Sequence, residues 1–389
     1  MVKWSREYHN LGDTSLDPKK IFQYLVFRTV FAPYTLLHKC TKSLTCSVRG
    51  YCPENTLEAT LLQEKPDIPF AVLSSGGVDS SVLSKLYDGP NVLHLFVQTL
   101  ANANEEQYFN SLARTLQGQI DKFVFTAESY HECQKELFGR LPEPLGDPAI
   151  IAVYGAARYI KQKYPHIKCI VVGEAGDEVF GGYWLYPEFT NFQGEFVKLM
   201  EKVYTHWGLC FLSRFRSSPD IRQTLDMLGG RIWEHRETIG NIGGIMDIDR
   251  HLFLPNGVIY KNTIACELNG IQCSIPYSHP QVENIADAFP LQKRVNVGAK
   301  DAHMQTKPLL KELALKLGVP SDCVLRIKTG FSSIPSESVL RWMNDELAYG
   351  GIGLRGSGWL ETSVMWSLWY WCKQNGLEDQ LKSILHILG

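Results

Sequence analysis

Twelve consecutive residues constrain this chain more than any other stretch: Phe70-Ala71-Val72-Leu73-Ser74-Ser75-Gly76-Gly77-Val78-Asp79-Ser80-Ser81. An apolar strand runs into a Ser/Gly turn, and a helix led by Asp and Ser follows. Adjacent glycines let the backbone approach an anion closely, and the hydroxyls of the turn add donors. A helix beginning near Asp79 aims its free N–H groups and the positive end of its dipole at the same point. Phosphate is the natural ligand of such a turn. The loop lacks the Lys of the Gly-x-x-x-x-Gly-Lys-Ser/Thr form, so it is not the usual mononucleotide loop, and Asp79 would meet phosphate through a divalent cation. A plain strand–turn–helix connection is the alternative. The full hexapeptide Ser75–Ser80 between an apolar strand and an apolar-faced helix argues for the nucleotide.

From Phe70 onward the pattern alternates. Strands are predicted over 70–74, 92–97, 122–125 and 169–172, with helices ending near 87 and spanning 104–116, 130–138 and 148–163. Continuous Val/Ile/Leu strands joined by amphipathic helices are the sequence form of an α/β doubly wound parallel sheet, whose ligands bind beyond the carboxyl ends of the strands. Ser74–Ser80 and the residues after Val172 both fall at such ends, so they can face one pocket. Beyond about Tyr186 the β signal fades and helices dominate, as over 307–317 and 361–374. Trp366, Trp369, Tyr370 and Trp371 at helical spacing read as core and not as a binding platform. Residues 1–65 carry strand-like pieces over 21–30 and 43–48 that would make a poor core alone.

A chain of 389 residues, 44% hydrophobic and 21% charged, can bury a core without staples. The formal net charge of −2 argues against a broad nucleic-acid footprint. Ten cysteines without a Cys-x-x-Cys pair indicate neither a zinc ribbon nor a sulfur relay, and read as reduced thiols of a cytoplasmic protein. Met1–Gly12 is polar, and Arg28 interrupts the best apolar run, so a soluble protein with no membrane partner is expected.

A second constellation follows the strand ending at Val172: Gly173-Glu174-Ala175-Gly176-Asp177-Glu178-Val179-Phe180-Gly181-Gly182-Tyr183. Clustered carboxylates repel and glycine costs conformational entropy, so three acids among four glycines are wasteful for structure alone. A divalent cation removes that cost. Ser75–Ser80 carries the Ser-Gly-Gly-x-Asp-Ser signature of PP-loop ATP pyrophosphatases. The second segment is similar to the Gly-Glu-Gly-x-Asp-Glu-x-Phe-Gly-Gly-Tyr sequence of the asparagine synthetase family, whose synthetase domain also carries the PP-loop. Arg326-Ile327-Lys328-Thr329-Gly330-Phe331 resembles that family's Arg-x-Lys-x-Gly-Phe segment. The likeness runs from about 66 to 345 and takes in Glu105, Pro144 to Asp147 and Tyr260-Lys261.

The resemblance implies a HUP-like PP-loop fold, ATP and Mg2+ as cofactors, and activation of a carboxylate by adenylation before an amine displaces AMP. On that correspondence Ser75, Gly76, Gly77 and Ser80 hold the pyrophosphate portion, and Asp79 and Asp177 bind magnesium. Lys328 stabilises the reacting phosphorus, Glu174 is the base for the amine, and Gly173 lies near the nucleotide. Leu73 and Gln98 are adenine contacts by alignment. The implied organisation is a nucleotide-binding core over about 66–186, a helical half over about 187–389, and a region 1–65 whose residues 21–36 resemble the tail of a glutaminase domain. That glutaminase uses a cysteine exposed after Met removal. Here the second residue is Val2 and the first cysteine is Cys40.

In the family, Lys-x-Asp-Arg-x-Ser-Met and Glu-x-Arg-x-Pro border the site with ion pairs. Aligned on Lys261 and Pro276, this chain has Thr263 and Ile264 for Asp and Arg, and Gln272 and Ser274 for Glu and Arg. Loss of both sides at once leaves no unpaired buried charge, and points to a larger or less charged small-molecule or peptide carboxylate. The logic is that of β-lactam synthetases or lasso-peptide cyclases, with ring closure open. An adenylating enzyme acting on tRNA and a non-catalytic binding subunit are the alternatives, and a homo-oligomer or a separate partner protein stays open.

Overall fold

The computed structural model describes residues 3–10, 15–28, 30, 31, 35, 40–47, 56–99, 102–194, 198, 223, 229, 230, 233, 234, 236–326, 335–353 and 358–388. Strands β1 (Lys3–Asn10) and β2 (Cys40–Ser47) pair antiparallel as a separate ribbon. The central sheet has five parallel strands: β3 (Phe70–Leu73), β4 (Leu93–Gln98), β5 (Gln119–Val124), β6 (Cys169–Val171) and β7 (Gln272–Ser274). Their spatial order is β5-β4-β3-β6-β7. The chain winds outward from β3 through β4 to β5, then returns to lay β6 on the other side of β3. The carboxyl ends of β3 and β6 therefore flank the switch point, where open parallel sheets bind ligands.

The inner strands β4, β3 and β6 are largely apolar because both faces are covered. Phe70, Ala71, Val72, Leu95, Cys169, Ile170 and Val171 are buried, and flanking helices complete the layers. In chain order the first helices are α1 (Pro18–Phe27), α2 (Leu57–Gln63), α3 (Val78–Tyr87), α4 (Glu106–Ala113), α5 (Ala127–Phe138), α6 (Ala149–Lys163) and α7 (Gly176–Phe180). The Trp366–Trp371 cluster lies in the helix Trp359–Gln374, where Trp366 and Trp369 are buried and the Trp371 indole N–H donates to Leu141 O.

Two expectations are corrected. The stretch 21–30 is not strand: α1 covers Pro18–Phe27, with the Asp17 side chain accepting from Lys19 N and Pro18 at the first helical turn. Ile21, Tyr24 and Leu25, spaced three and four apart, face the core together. The β signal also returns after Tyr186 as β7, three residues long and too short to show alternation. Its neighbour is β6, from Cys169↔Gln272 to Val171↔Ser274.

The segment 16–31 belongs to the body of the molecule. Leu16 N donates to Gln380 Oε1 at 2.9 Å, and the Tyr24 and Ser367 hydroxyls are 2.5 Å apart. Arg28, in the left-handed region at φ 63°, accepts from Gly146 N through its carbonyl.

Candidate active site

The β3–α3 turn is built by its own hydroxyls. Ser75 N donates to Ser80 Oγ, Gly77 N donates to Ser75 Oγ, and Ser80 Oγ donates to Gly77 O. Gly77 supplies no side-chain cap to α3, so the helix N-terminus keeps unclaimed N–H groups for an anion. Gly76 has φ +71°, and a Cβ there would lie 2.6 Å from Phe109 N and Tyr108 C. Only glycine lets α4 approach so closely.

Across the switch point, Gly173 and Glu174 follow β6 and Asp177 opens α7. Asp79 in the first turn of α3 and Asp177 converge on one ammonium: Lys307 Nζ is 2.6 Å from both Asp79 oxygens and 2.6 Å from Asp177 Oδ1. Lys307 is buried and held at φ 53°, ψ 37°, ahead of the helix Pro308–Lys316. A non-glycine residue in that region costs about 1–2 kcal/mol, which two buried charge-assisted contacts offset. Glu178, next along, is pushed up to about 8 by burial and then by the charge of Asp177, and it accepts from the Tyr183 hydroxyl at 2.6 Å.

The second glycine of the Gly181-Gly182 pair has a steric reason. A Cβ at Gly182 would fall 1.9 Å from Asp177 Oδ1 and 2.1 Å from Lys307 Cε. Ala175 stands where the family motif has Gly, yet keeps the left-handed backbone at φ 70°.

Two more cations, Lys261 and Arg326, pair with carboxylates around the site. Lys261 Nζ lies 3.3 Å from Asp147 Oδ2 and 3.3 Å from Glu174 Oε1. Burial would pull the Lys261 ammonium down, but Asp147 and then Glu174 outweigh it and hold the group above its usual range. Arg326 donates to Ser75 O at 3.2 Å and Glu105 Oε1 at 2.9 Å, and lies over the Tyr108 ring. It ties the segment after Ser321–Leu325 to the PP-loop turn.

The resulting cavity encloses about 1090 Å³ of empty space, its open mouth included. Leu73, Ser75, Gly77, Asp79, Ser80, Gly173, Glu174 and Asp177 all line it, with Leu95, Phe96, Val97 and Val153 as apolar wall. Gly76 is in the turn but not among the lining residues. Gln98 ends β4 opposite Val124, and it is not among the lining residues. Lys328 lies outside the described residues, two positions beyond Arg326. Cys323 also lines the cavity, but burial pushes its thiol up to about 12, so it remains protonated and is no nucleophile.

Sequence reasoning missed Lys307 and Lys311. The available signal was Lys307-Pro308: proline at a helix start leaves the residue before it outside the helix.

The Asparagine synthase family model matches residues 55–385. The chain belongs to the asparagine synthase family. Members of that family are ATP-dependent ligases that form carbon–nitrogen bonds. A putative glutamine-hydrolysing asparagine synthetase of Mycobacterium bovis is 24% identical over 342 residues, 76% of this chain and 50% of the relative. Asparagine synthetase 1 of Bacillus subtilis, also named glutamine-hydrolysing, is 21% identical over 86% of this chain and 61% of its own length. The glutamine-hydrolysing enzyme of Zea mays is 23% identical over 68% and 51%. The chain thus spans about half the length of the curated relatives it matches.

Proposed function

We propose that this chain is an ATP-dependent, AMP-forming amide synthetase. The observation that carries the reading is the meeting of the PP-loop helix and the Glu174–Asp177 segment at one cavity, with Lys307 across Asp79 and Asp177. In the proposed reaction a carboxylate oxygen attacks the α-phosphorus of ATP and pyrophosphate departs. An amine then attacks the acyl carbon and AMP leaves. The donor set suits magnesium: two carboxylates converging on a cation position are the hard oxygens this ion takes together with phosphates. Asp79 and Asp177 would hold it. When bound, it would supply Lewis-acid polarisation of the phosphoryl oxygens.

The chain's own residues do the rest. The Ser75–Ser80 turn and the α3 N-terminus hold the phosphates through hydroxyl and N–H donors. Lys307 and Lys328 bring positive charge to the leaving phosphates. Glu174, oriented by Lys261, takes the proton that an ammonium must lose before it can attack, since an amine of pKa ~10 is mostly protonated at neutral pH. Leu73 and the apolar wall accept the base.

The pocket charges favour a substrate other than aspartate. Among the described residues lining the cavity, Glu174 and Asp177 are already paired with lysines, and Glu105 with Arg326. Thr263 Oγ1 donates to Ile259 O, Ile264 packs on the core, and Ser274 is buried in β7. None of these three is among the lining residues, and none brings a charge for a second ionic group of the substrate; the proposed substrates are a bulkier carboxylate and an organic amine, within one molecule in a ring closure. The division into a core over about 66–186, a helical half over about 187–389 and a glutaminase-like remnant over 1–65 is part of the same reading.

The test is an amide-formation assay with ATP and magnesium, comparing aspartate plus ammonium with bulkier carboxylates and amines. AMP and pyrophosphate as products support the reading, and ADP contradicts it. Efficient asparagine production would end the substrate proposal while leaving the adenylation chemistry standing.

A further inference from the structure

Three cationic side chains line the cavity among the described residues: Lys307, Lys311 and Arg326. Lys307 meets Asp79 and Asp177, and Arg326 meets Glu105. Lys311 differs. It is 4% exposed, and its ammonium donates to His303 O and, at 3.4 Å, to Thr306 Oγ1. Both acceptors are neutral. Among the described residues no carboxylate pairs with it, and one of its three N–H donors has no acceptor. A buried charge without a counter-ion is costly, and such groups on a cavity wall mark places where a ligand supplies the opposite charge.

Its position says which anion. Lys311 N donates to Lys307 O at 2.9 Å at the start of the helix Pro308–Lys316, and both lysines line the cavity. Lys307 reaches Asp79 in the first turn of α3, the helix whose N-terminus is open to phosphate. The apolar wall of Leu95, Phe96, Val97 and Val153 comes from β4 and α6 instead. We propose that Lys311 is a further binding residue of this site, whose ammonium takes a phosphate oxygen at the pyrophosphate end of ATP and of the released pyrophosphate. The proposal rests on the ATP-cleaving reading and adds to it a cation that no motif pointed to.

The surroundings make this contact sensitive to pH. Burial, and then the charge of Lys307, bring the Lys311 group down to about 8, with Asp79 on α3 and Asp301 on the preceding turn opposing them only in part. Lys311 therefore loses its charge as the solution becomes mildly alkaline, whereas an arginine in its place would not.

Inorganic pyrophosphate with magnesium is the probe, titrated calorimetrically into wild type, K311Q and K311R. Circular dichroism checks the fold of each. Relative to K311R, the wild type should lose about tenfold in affinity between about pH 7 and about pH 9, the expectation for one cation of pKa near 8. The ratio to K311R cancels the titration of pyrophosphate itself. K311Q should bind about tenfold more weakly or worse than wild type near pH 7. A clamp that only holds the 303–306 turn would move neither the pH slope nor its loss in K311R. A folded K311Q with wild-type affinity, or a K311R that keeps the wild-type slope, overturns the proposal. If K311Q does not fold, the K311R comparison decides alone. Wild type binding neither magnesium ATP nor magnesium pyrophosphate would overturn the nucleotide reading itself, an outcome distinct from failure of Lys311 alone.

Discussion

Ala175 is one of three non-glycine residues in the left-handed region among the described residues, with Arg28 and Lys307. At φ 70° it carries a Cβ in the left-handed region, which costs about 1–2 kcal/mol, while glycine's extra unfolded-state entropy costs about 0.5–1 kcal/mol. The first term is larger. Ala175→Gly should therefore stabilise the protein by roughly 0.5–1 kcal/mol, read as a higher urea midpoint at unchanged slope; a lower midpoint would show that the Cβ contributes packing that outweighs the strain. Glu174 is a second residue-scale case. In Glu174→Gln the fold and the Lys261–Asp147 pair remain, so pyrophosphate exchange should persist while the amine step falls on the order of a hundredfold. Equal loss of both steps would remove Glu174 from the role of base. Asp79, Glu174 and Asp177 were legible in the sequence because each sits in a dense motif. Lys307 was not, because what makes it a site residue is a contact across 228 positions of chain, and its own neighbours spell only the start of a helix.

At the scale of elements, the site is the place where three segments are forced together: the β3–α3 turn, the β6–α7 turn, and the chain before Pro308. Gly182 is the steric gate of that meeting, since its Cβ would occupy the space of Asp177 Oδ1 and Lys307 Cε. Gly182→Ala should part the two, and nucleotide affinity should fall about tenfold or more through loss of buried charge-assisted contacts. Retention of wild-type affinity for magnesium ATP in a folded Gly182→Ala protein would contradict this geometry. The parallel strands were readable because burial on both faces leaves continuous apolar runs, as in Ala71-Val72 and Ile170-Val171. Strand β7 was not, because Gln272-Cys273-Ser274 has the half-polar look of an edge and is only three residues long. Helix α1 was misread for a related reason. Its Ile21, Tyr24, Leu25 and Phe27 suit a strand by residue type, and the spacing of three and four and the Asp17 cap decide for helix.

For the whole molecule, the chain before the sheet and the chain after it share one core, in which Leu16, Ile21, Tyr24 and Leu25 lie in the cluster that also holds Trp366, Leu368 and Leu381. Ile21→Ala, at a fully buried site, should cost about 2–5 kcal/mol and lower the single unfolding transition as a whole; a separate early transition for the N-terminal segment would mean that it is only docked. Among the described residues no helix is long and apolar enough to cross a membrane. The fold thus brings two distant motifs and a buried lysine to the carboxyl end of a parallel sheet, where the proposed reaction cleaves ATP between its α and β phosphates. The direct measurement is magnesium-dependent exchange of labelled pyrophosphate into ATP across a panel of carboxylates, for wild type and for Asp79→Ala. The account predicts carboxylate-dependent exchange in the wild type and none in Asp79→Ala. Formation of ADP with no exchange, or exchange undiminished by Asp79→Ala, would contradict it.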